Sequence, residues 1–219
     1  MIKIGGSLAE TPDILKLLCA ALAKLSVKYQ LLIVPGGGKF ADVVREYDRR
    51  FALPAEVAHR LAIAAMDQYG AVLSQLIPNG CPTEKLEDIP VFLSKGQLPV
   101  FLPAKLLVQE ETLDSSWDVT SDSIAAFIAK KVNAAKVVLV TDVDGIFTKN
   151  PKHHASARLM HEVSAQWLLS QPKRTSVDKF LPKFLLRHPL PCYIVNGHYP
   201  ERIAAILSAQ KSTYTLIKL

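Results

Sequence analysis

Two short apolar runs near the start of the chain each end in a cluster of glycines, Gly5-Gly6 and Gly36-Gly37-Gly38. We predict that each run is a buried strand, and that its carboxyl end opens into a loop followed by a helix. Glycine adopts positive φ readily and has no side chain, so backbone N–H groups in such loops can approach an oxyanion closely. A helix N-terminus behind the loop adds a dipole that favours anions. Two such loops predict a site that holds phosphate groups from two sides.

The rest of the chain alternates between predicted helices and predicted strands. Apolar residues at helical spacing predict one helix that begins near Thr11. They predict further helices at residues 40–51, 55–77, 121–132, 164–170, 176–187 and 200–209. Short apolar runs predict strands at residues 30–34, 91–93, 100–102, 136–141, 192–196 and 213–218, with a loop at residues 78–82. This alternation is typical of an α/β fold around a mainly parallel sheet. We expect one domain, with two lobes that meet near residues 114–120.

Composition narrows the class of protein. The chain has 219 residues, of which 49% are hydrophobic and 21% charged, and this is enough for one sizeable core. No apolar run is long enough to cross a membrane, and Lys3 with its glycines occupies the place of a signal peptide's apolar stretch. The three cysteines, Cys19, Cys81 and Cys192, fit neither a disulfide framework nor a zinc site. We therefore expect a cytoplasmic protein with buried thiols and no metal site built from its own side chains.

The positive charge of the chain is not gathered into a patch. The net charge is +6 and the pI is near 9.2, but the basic residues occur as short pairs such as Arg49-Arg50 and Lys130-Lys131, without interleaved aromatics. Nucleic-acid-binding domains concentrate such charge on one face or in a recognisable motif. A solvated surface with a pocket for a small anionic ligand is the favoured interpretation. Nucleic-acid binding remains the weaker one, and it predicts a steeply salt-dependent affinity.

Lysines accompany both glycine clusters. Lys3 alternates with Ile2 and Ile4, so in a strand buried on both faces its charge needs a partner. Lys39 follows three consecutive glycines, which cost more backbone entropy than a simple turn requires. Neither the G-x-G-x-x-G dinucleotide fingerprint nor the G-x-x-x-x-G-K-[ST] P-loop occurs here, which argues against a nicotinamide-binding protein and a P-loop nucleotidase.

Two polar clusters lie further along the chain. The first cluster lies at the start of the helix predicted at residues 121–132 and contains Asp118, Thr120 and Asp122. Thr120 or Ser121 alone would be sufficient to cap this helix, so capping does not explain the two aspartates. Asp122, in the first helical turn, is well placed to hold lysines that grip a phosphate. The second cluster directly follows the strand at residues 136–141 and suits contacts to ribose hydroxyls or Mg²⁺. Its members are Thr141, Asp142, Asp144, Gly145 and Phe147.

In this order the four motifs resemble the amino acid kinase superfamily over nearly the whole chain. The resemblance implies a three-layer α/β/α sandwich with the phosphoryl acceptor in an N-terminal lobe, residues 1–118, and ATP with Mg²⁺ in a C-terminal lobe, residues 119–219. It implies that Lys3 stabilises the transferring phosphoryl group and that Asp122 orients the catalytic lysines. The implied nucleotide contacts are Gly5, Gly6, Ser7 and the cluster at residues 141–147. The implied acceptor contacts are Gly36, Gly37, Gly38 and Lys39.

The chain departs from the superfamily where a second catalytic lysine is expected. The common Gly-Gly-Met pattern is replaced by residues 175–183, which read Thr-Ser-Val-Asp-Lys-Phe-Leu-Pro-Lys. We assign Lys179 to catalysis and Lys183 to the nucleotide, although spacing alone does not choose between them. Pro35 stands where a histidine is common before the glycine triplet, which weighs against an isopentenyl phosphate kinase.

These departures, together with residues 59–70, are similar to a small branch of the superfamily found with one-carbon metabolism. The activity characterised for that branch converts an aminomethylfuranmethyl phosphate to its diphosphate with ATP, in methanofuran biosynthesis. Arg60, Asp118 and Thr120 are our further candidates for acceptor contacts. Residues 59–70 are explained equally well as a long core or dimer helix, with Arg60, Asp67 and Gln68 as the exceptions.

The sequence therefore predicts an ATP-dependent kinase that transfers a phosphoryl group directly to a small anionic acceptor. Neither nucleic acid nor a membrane is expected as a partner, and the resemblance implies a homo-oligomer. The alternative is a non-catalytic nucleotide- or oxyanion-binding protein on the same fold, as in the molybdenum storage proteins. The altered segment at residues 175–183 keeps that alternative open.

Overall fold

The architecture is a mainly parallel sheet with helices on both faces. A computed structural model describes residues 1–110, 114–149, 151, 153–172 and 174–219. The strands within these residues are β1 Ile2–Ile4, β2 Ile33–Pro35, β3 Gly80–Thr83, β4 Leu98–Phe101, β5 Val137–Thr141, β6 Ile146–Phe147, β7 Leu159–Met160, β8 Glu162–Ser164, β9 Cys192–Asn196 and β10 Thr215–Lys218. Eight of them form one sheet in the order β3-β4-β2-β1-β5-β9-β10-β8, and β6 pairs with β7 separately. Within the large sheet only the β9–β10 pair is antiparallel among the described strands.

Helices connect the strands. In the described residues they are α1 Pro12–Ser26, α2 Gly38–Phe51, α3 Ala55–Leu76, α4 Ile89–Ser94, α5 Ala104–Gln109, α6 Ser121–Lys131, α7 Ala165–Ser170, α8 Phe180–Arg187 and α9 Pro200–Leu207. Short 3₁₀ helices occur at Gly6–Glu10 and Leu86–Asp88. The helices predicted at residues 40–51, 55–77 and 121–132 are confirmed as α2, α3 and α6. None of the helices in these ranges has the length and apolar character needed to cross a membrane.

Side chains of the central strands alternate between two hydrophobic cores, one on each face of the sheet. In β5, Val138 and Val140 pack in the core that α1 and α9 cover, whereas Val137 and Leu139 pack in the core that α6 and α8 cover. A continuous apolar strand of this kind suits a position buried on both faces. The helix–sheet–helix layering confirms the predicted α/β/α sandwich.

The sheet order places the ends of four strands side by side. β1 lies between β2 and β5 and runs parallel to both, and β5 runs parallel to β9. Because parallel strands end at the same edge of a sheet, the loops that follow β2, β1, β5 and β9 meet there. Both glycine clusters and residues 141–147 are therefore brought to one place.

Two local predictions are wrong. Residues 91–93 belong to α4 and not to a strand, since Pro90 lies in the first turn of a helix, where its missing N–H group is not needed. A short apolar run does not by itself distinguish a buried strand from a helical turn. The loop predicted at residues 78–82 contains the start of β3, which lies at the edge of the sheet, where Pro82 is tolerated.

Other elements differ in extent or were not predicted. The helix predicted at residues 176–187 begins only at Phe180, because the preceding residues form a turn against α6. The short strands β6, β7 and β8 and the six-residue helix α5 have too few residues to show a period in the sequence. Cys19 and Cys192 are buried as predicted, whereas Cys81 on β3 is partly exposed.

Candidate active site

The two glycine loops, residues 5–7 and residues 36–38, pack directly on each other. A Cβ atom built on Gly6 would lie 2.1 Å from the Cα of Gly38, so no side chain fits between the loops. Gly36 donates its backbone N–H to the carbonyl of Ile4 at 2.8 Å, which fixes the second loop to β1. Gly38 has a φ of +54°, in the left-handed region that glycine favours. The loops thus form one cradle with a bare backbone surface.

Lys3 lies beneath this cradle and is bound to Asp122. Strand alternation places Ile2 and Ile4 on one face of β1 and Lys3 on the other, which α6 covers. Lys3 is 8% exposed, and its ammonium donates to Asp122 Oδ1 at 2.8 Å. A Cβ on Gly5 would lie 3.8 Å from the Lys3 Nζ, so the ammonium also adjoins the first glycine loop. The expected partner for the lysine charge is confirmed, and it is Asp122.

The second carboxylate oxygen of Asp122 faces the segment before α8. It accepts the backbone N–H of Asp178 at 3.2 Å, and the Arg174 guanidinium lies 3.8 Å away. Arg174 is half-exposed and was not among the predicted site residues. Lys179 is exposed and lines a cavity of about 270 Å³ together with Arg174 and Asp178. Lys183, one turn further along, lies over the ring of Phe180 at 5.7 Å.

Asp178 is buried and joins the start of α6 to the start of α8. Its Oδ2 accepts the backbone N–H and the hydroxyl of Thr120, both at 2.9 Å, and the backbone N–H of Ser123 at 3.0 Å. Its Oδ1 accepts the Ser123 hydroxyl and the backbone N–H of Leu181. Burial, and then the Asp122 carboxylate, raise the pKa of Asp178, whereas the donors from Ser123 and Leu181 oppose that shift. Thr120 stands at the N-cap of α6, but its side chain makes no capping hydrogen bond, because this distant carboxylate accepts the N–H groups at the helix start.

A small cavity opens beside Gly37, on the acceptor side expected from the sequence. Its apolar lining is Ala41, Ala62, Ile63, Met66, Val119 and Ile124, and its polar lining is Arg45, His59, Trp117, Thr120 and Ser121. The Arg45 guanidinium lies 4.9 Å from the Trp117 ring, whose N–H donates to Asp48 Oδ2 at 2.8 Å. Burial lowers the pKa of His59. Arg45, His59 and Trp117 were not predicted as site residues, although His59 opens the helical segment noted at residues 59–70.

Three of the four predicted acceptor contacts that carry a side chain do not line this cavity, and neither do Gly36 and Gly38. Lys39 is exposed and pairs with Glu10 at 2.9 Å, which raises the pKa of Lys39. Arg60 is exposed, lies 3.8 Å from Glu56 and lines an adjoining groove of about 380 Å³. Asp118 is exposed, and its backbone carbonyl accepts the N–H of Phe180. Of the three further candidates, Thr120 alone reaches the cavity beside Gly37.

The loop after β5 is held by residues from the end of β9 and from α9. Asp144 Oδ1 accepts the Arg202 guanidinium at 2.5 Å and the Asn196 amide at 3.0 Å. The Arg202 guanidinium in turn lies 4.0 Å from the Tyr199 ring. The Asp144 carboxylate is thus already balanced by a cation, and it joins β9 and α9 to the loop. Asn196, Tyr199 and Arg202 were missed, and the Asn-Gly pair that ends the strand predicted at residues 192–196 is their signal.

Four other predicted nucleotide contacts, Thr141, Asp142, Gly145 and Phe147, lie in this loop or directly beside it. The Thr141 hydroxyl donates to Asp142 Oδ1 at 3.2 Å, and the Thr141 carbonyl accepts the N–H of Gly197 at 2.8 Å. A Cβ on Gly145 would lie 2.3 Å from the Thr215 hydroxyl, so this position admits only glycine. Phe147 lies in β6, and Ser7 is exposed in the first glycine loop. Across the described ranges, no group of three histidine, cysteine or acidic side chains stands together as a metal site.

Comparison with known proteins identifies the family. The profile of the amino acid kinase family matches residues 1–187, and the chain belongs to this family of phosphotransferases. Over 218 residues it is 35% identical to the (5-(aminomethyl)furan-3-yl)methyl phosphate kinase of Methanocaldococcus jannaschii, with 99% of this chain and 96% of the relative covered. This relative confirms the resemblance to the methanofuran branch as well as to the superfamily.

One further relative and one solved structure are similar to this chain at lower identity. The molybdenum storage protein subunit beta of Azotobacter vinelandii is 26% identical over 192 residues, covering 83% of this chain and 71% of that protein. The crystal structure of uridylate kinase from Archaeoglobus fulgidus matches with a TM-score of 0.77 at 21% identity, covering 99% of each chain. At this identity the second match supports the fold alone, which is the amino acid kinase fold.

Proposed function

We propose that this protein transfers the γ-phosphoryl group of ATP to a phosphate monoester similar to aminomethylfuranmethyl phosphate, giving a diphosphate. The observation that carries the proposal is the buried Lys3–Asp122 pair beneath two glycine loops in contact. The full-length similarity to the Methanocaldococcus jannaschii kinase supports the same acceptor class.

The chemistry needs no general base. The attacking oxygen of a phosphate monoester is already ionised, so it forms a bond to the γ-phosphorus while the bond to the bridging oxygen breaks. ADP leaves with the electron pair of that bond. Catalysis then rests on positioning and on stabilising the charge that builds up on the transferring group. Lys3, Arg174 or Lys179, and the amides of the glycine loops are the groups that we assign to this stabilisation.

The cradle suits the phosphates of ATP. Close backbone approach at Gly5, Gly6 and Gly38 leaves N–H groups and a bare surface, where a Cβ atom would clash. We expect Mg²⁺ to reach the site on the nucleotide, because Mg²⁺ commonly keeps its waters and binds substrate phosphates. Bound there, it would supply positive charge to the β- and γ-phosphates.

The cavity beside Gly37 favours an acceptor with a small flat body. Its apolar lining and the Trp117 ring offer contact to a ring, while Arg45 and His59 supply polar contacts. A neutral imidazole at His59, whose pKa burial lowers, accepts a hydrogen bond at physiological pH. This combination supports a ring-bearing phosphate such as the furan substrate. Uridylate is the competing acceptor that the fold itself suggests.

A coupled assay of ADP release tests the proposal. Purified protein with ATP and Mg²⁺ is given aminomethylfuranmethyl phosphate, uridylate or isopentenyl phosphate, and the furan phosphate is expected to have the highest kcat/KM. Preference for uridylate would overturn the acceptor assignment. Binding of ATP or an oxyanion without turnover of any acceptor would support the storage alternative. A steeply salt-dependent affinity for DNA or RNA would instead support the interpretation that the protein binds nucleic acid.

The remaining expectations complete the proposal. We expect the cytoplasm as the location, and two lobes divided near residue 118 that serve the acceptor and the nucleotide. A homo-oligomer is expected from the family resemblance. Apolar side chains lie exposed along one side of α2 at positions that recur every three or four residues, and this is the face we expect a second copy to cover. They are Phe40, Val43, Tyr47 and Phe51.

A further inference from the structure

We propose that Asp178 is a positioning residue, which holds Asp122 and through it Lys3 in the geometry that phosphoryl transfer requires. This inference rests on the proposed kinase function, and it assigns a role to a buried carboxylate that the chemistry above does not use. Asp178 is 1% exposed and lies in residues 175–183, the segment that departs from the family pattern.

The hydrogen bonds of Asp178 require a carboxylate. Its Oδ2 accepts the backbone N–H groups of Thr120 and Ser123 and the Thr120 hydroxyl, and its Oδ1 accepts the backbone N–H of Leu181 and the Ser123 hydroxyl. An ionised carboxylate has no hydrogen of its own and is therefore matched to this set. An asparagine would turn one oxygen into an NH₂ group facing these donors, and would leave buried groups unsatisfied.

Asp178 positions Asp122 through two sets of hydrogen bonds. Its side chain binds Thr120 and Ser123, the residues that stand two before and one after Asp122, and so fixes the first turn of α6. Its backbone N–H donates to Asp122 Oδ2 at 3.2 Å, which leaves Oδ1 directed at the Lys3 ammonium at 2.8 Å. The orientation of the Asp122 carboxylate is thus determined from both ends.

The same residue connects the two cationic parts of the site. Residues 174–179 carry Arg174 and Lys179, and Asp178 ties this stretch to α6, which holds Lys3 through Asp122. If the tie is lost, Asp122 is free to rotate and the two parts are free to separate. A plain structural role would lower stability alone, whereas a positioning role lowers kcat through Asp122.

A double-mutant cycle distinguishes these roles. Asp178→Asn is expected to lower kcat by at least ~10-fold, with the KM values for ATP and acceptor within ~3-fold of the parent. In an Asp122→Asn background the same change is expected to cost less than ~3-fold, because residues that act through one another are not additive. Ser123→Ala removes only the hydroxyl bond to Asp178 Oδ1, and it serves as a milder variant if Asp178→Asn does not fold. Glu162→Gln, an exposed carboxylate on β8, is the matched control.

A second readout does not depend on turnover. Acetic anhydride labelling followed by mass spectrometry measures the accessibility of the Lys3 ammonium. Asp178→Asn is expected to raise the labelling rate of Lys3 by at least ~5-fold, because the buried Lys3–Asp122 pair would open more often. Lys136, bound to the Ile206 carbonyl, is the internal control and is expected to be unchanged. Unchanged Lys3 labelling, or equal losses of kcat in both backgrounds, would overturn the inference. If the parent protein turns over no acceptor, the proposed function fails, and labelling alone decides the role of Asp178.

Discussion

At the residue scale, the charge of Lys3 is buried on the face of β1 that α6 covers, and it has to be balanced inside the protein. Burying an ion is costly, so an unpaired ammonium there would be strongly unfavourable. Asp122 supplies the balance and at the same time leaves the ammonium beside the first glycine loop. In the mechanism that we propose, Lys3 is therefore held in place before any phosphate arrives, which is the condition for stabilising transition-state charge without reorganisation.

Replacing Lys3 tests this role directly. We expect Lys3→Ala to lower kcat by at least ~100-fold, while ATP still binds, because the lost contact acts mainly on charge that develops in the transition state. Steady-state kinetics and calorimetric titration with ATP measure the two effects. Near-normal turnover would remove Lys3 from the mechanism. Lys16→Ala, an exposed lysine on α1, is the control.

Asp67 makes stability depend on pH. Its Oδ1 accepts the backbone N–H of Ala104 at the start of α5, and burial raises its pKa from 3.8 to about 6. Between these values the folded state binds more protons than the unfolded state, so stability decreases as pH rises through this window.

Removing that charge should therefore stabilise the protein at higher pH. We expect Asp67→Asn, which keeps the acceptor oxygen, to add about 1 kcal/mol at pH 8, with solvent screening allowed for, and almost nothing at pH 4. Urea denaturation at the two pH values measures the difference. Asp13→Asn, at a carboxylate that is 94% exposed, should show no such pH dependence. A destabilised Asp67→Asn at pH 8 would contradict this account.

At the scale of elements, the site arises where loops from neighbouring parallel strands touch. The contact between Gly6 and Gly38 leaves no room for a Cβ atom. We expect Gly6→Ala to force the loops apart and to lower kcat/KM for ATP by at least ~10-fold, with a stability loss of about 1–3 kcal/mol. Kinetics and thermal unfolding measure both effects.

A matched control separates this clash from glycine replacement in general. Gly96 has a φ of +70° and nothing within 4 Å of its built Cβ, so Gly96→Asn introduces a residue that tolerates this conformation into open space. It is expected to retain near-normal activity. Equal losses in Gly6→Ala and Gly96→Asn would show that the loop contact is not what matters.

The sequence predicts those features of the site that depend on one element and its neighbour in the sheet. Lys3 and the glycine loops belong to this class, because a strand end and the loop after it can be recognised from a few consecutive residues. The roles of Asp178 and Trp117 could not be predicted in this way. Asp178 caps a helix from a point 55 residues away, and Trp117 binds Asp48 across 69 residues. Such contacts follow from the packing of whole elements and leave no local pattern.

The same limit applies to the fold. No local pattern in the sequence predicts the strand order of the sheet. The alternation of helices and strands, in contrast, is sufficient to predict that the sheet is mainly parallel. α4 and β3 were misassigned where a proline stands inside a short segment, because proline interrupts a strand pattern but is accepted in a first helical turn or at a sheet edge.

At the scale of the whole molecule, the exposed apolar side of α2 predicts self-association. Tyr47 and Phe51 are 51% and 59% exposed, with ring centroids 5.6 Å apart. We expect Tyr47→Lys to shift the parent oligomer towards the monomer, since a charge would be buried in the interface. Light scattering coupled to gel filtration measures the mass. Leu17→Lys, at an exposed leucine of α1, should leave the mass unchanged. A monomeric parent protein would contradict the prediction.

The place of β9 inside the sheet bears on how this protein can be shortened. All five residues of β5 pair with β9, which follows the last residue that the family profile matches. A chain stopped at residue 187 would leave the apolar strand β5 with a row of unpaired N–H and C=O groups. Such a surface recruits strands from other molecules and leads to aggregation. A truncation at that boundary should therefore precipitate on expression, and not give a smaller working enzyme.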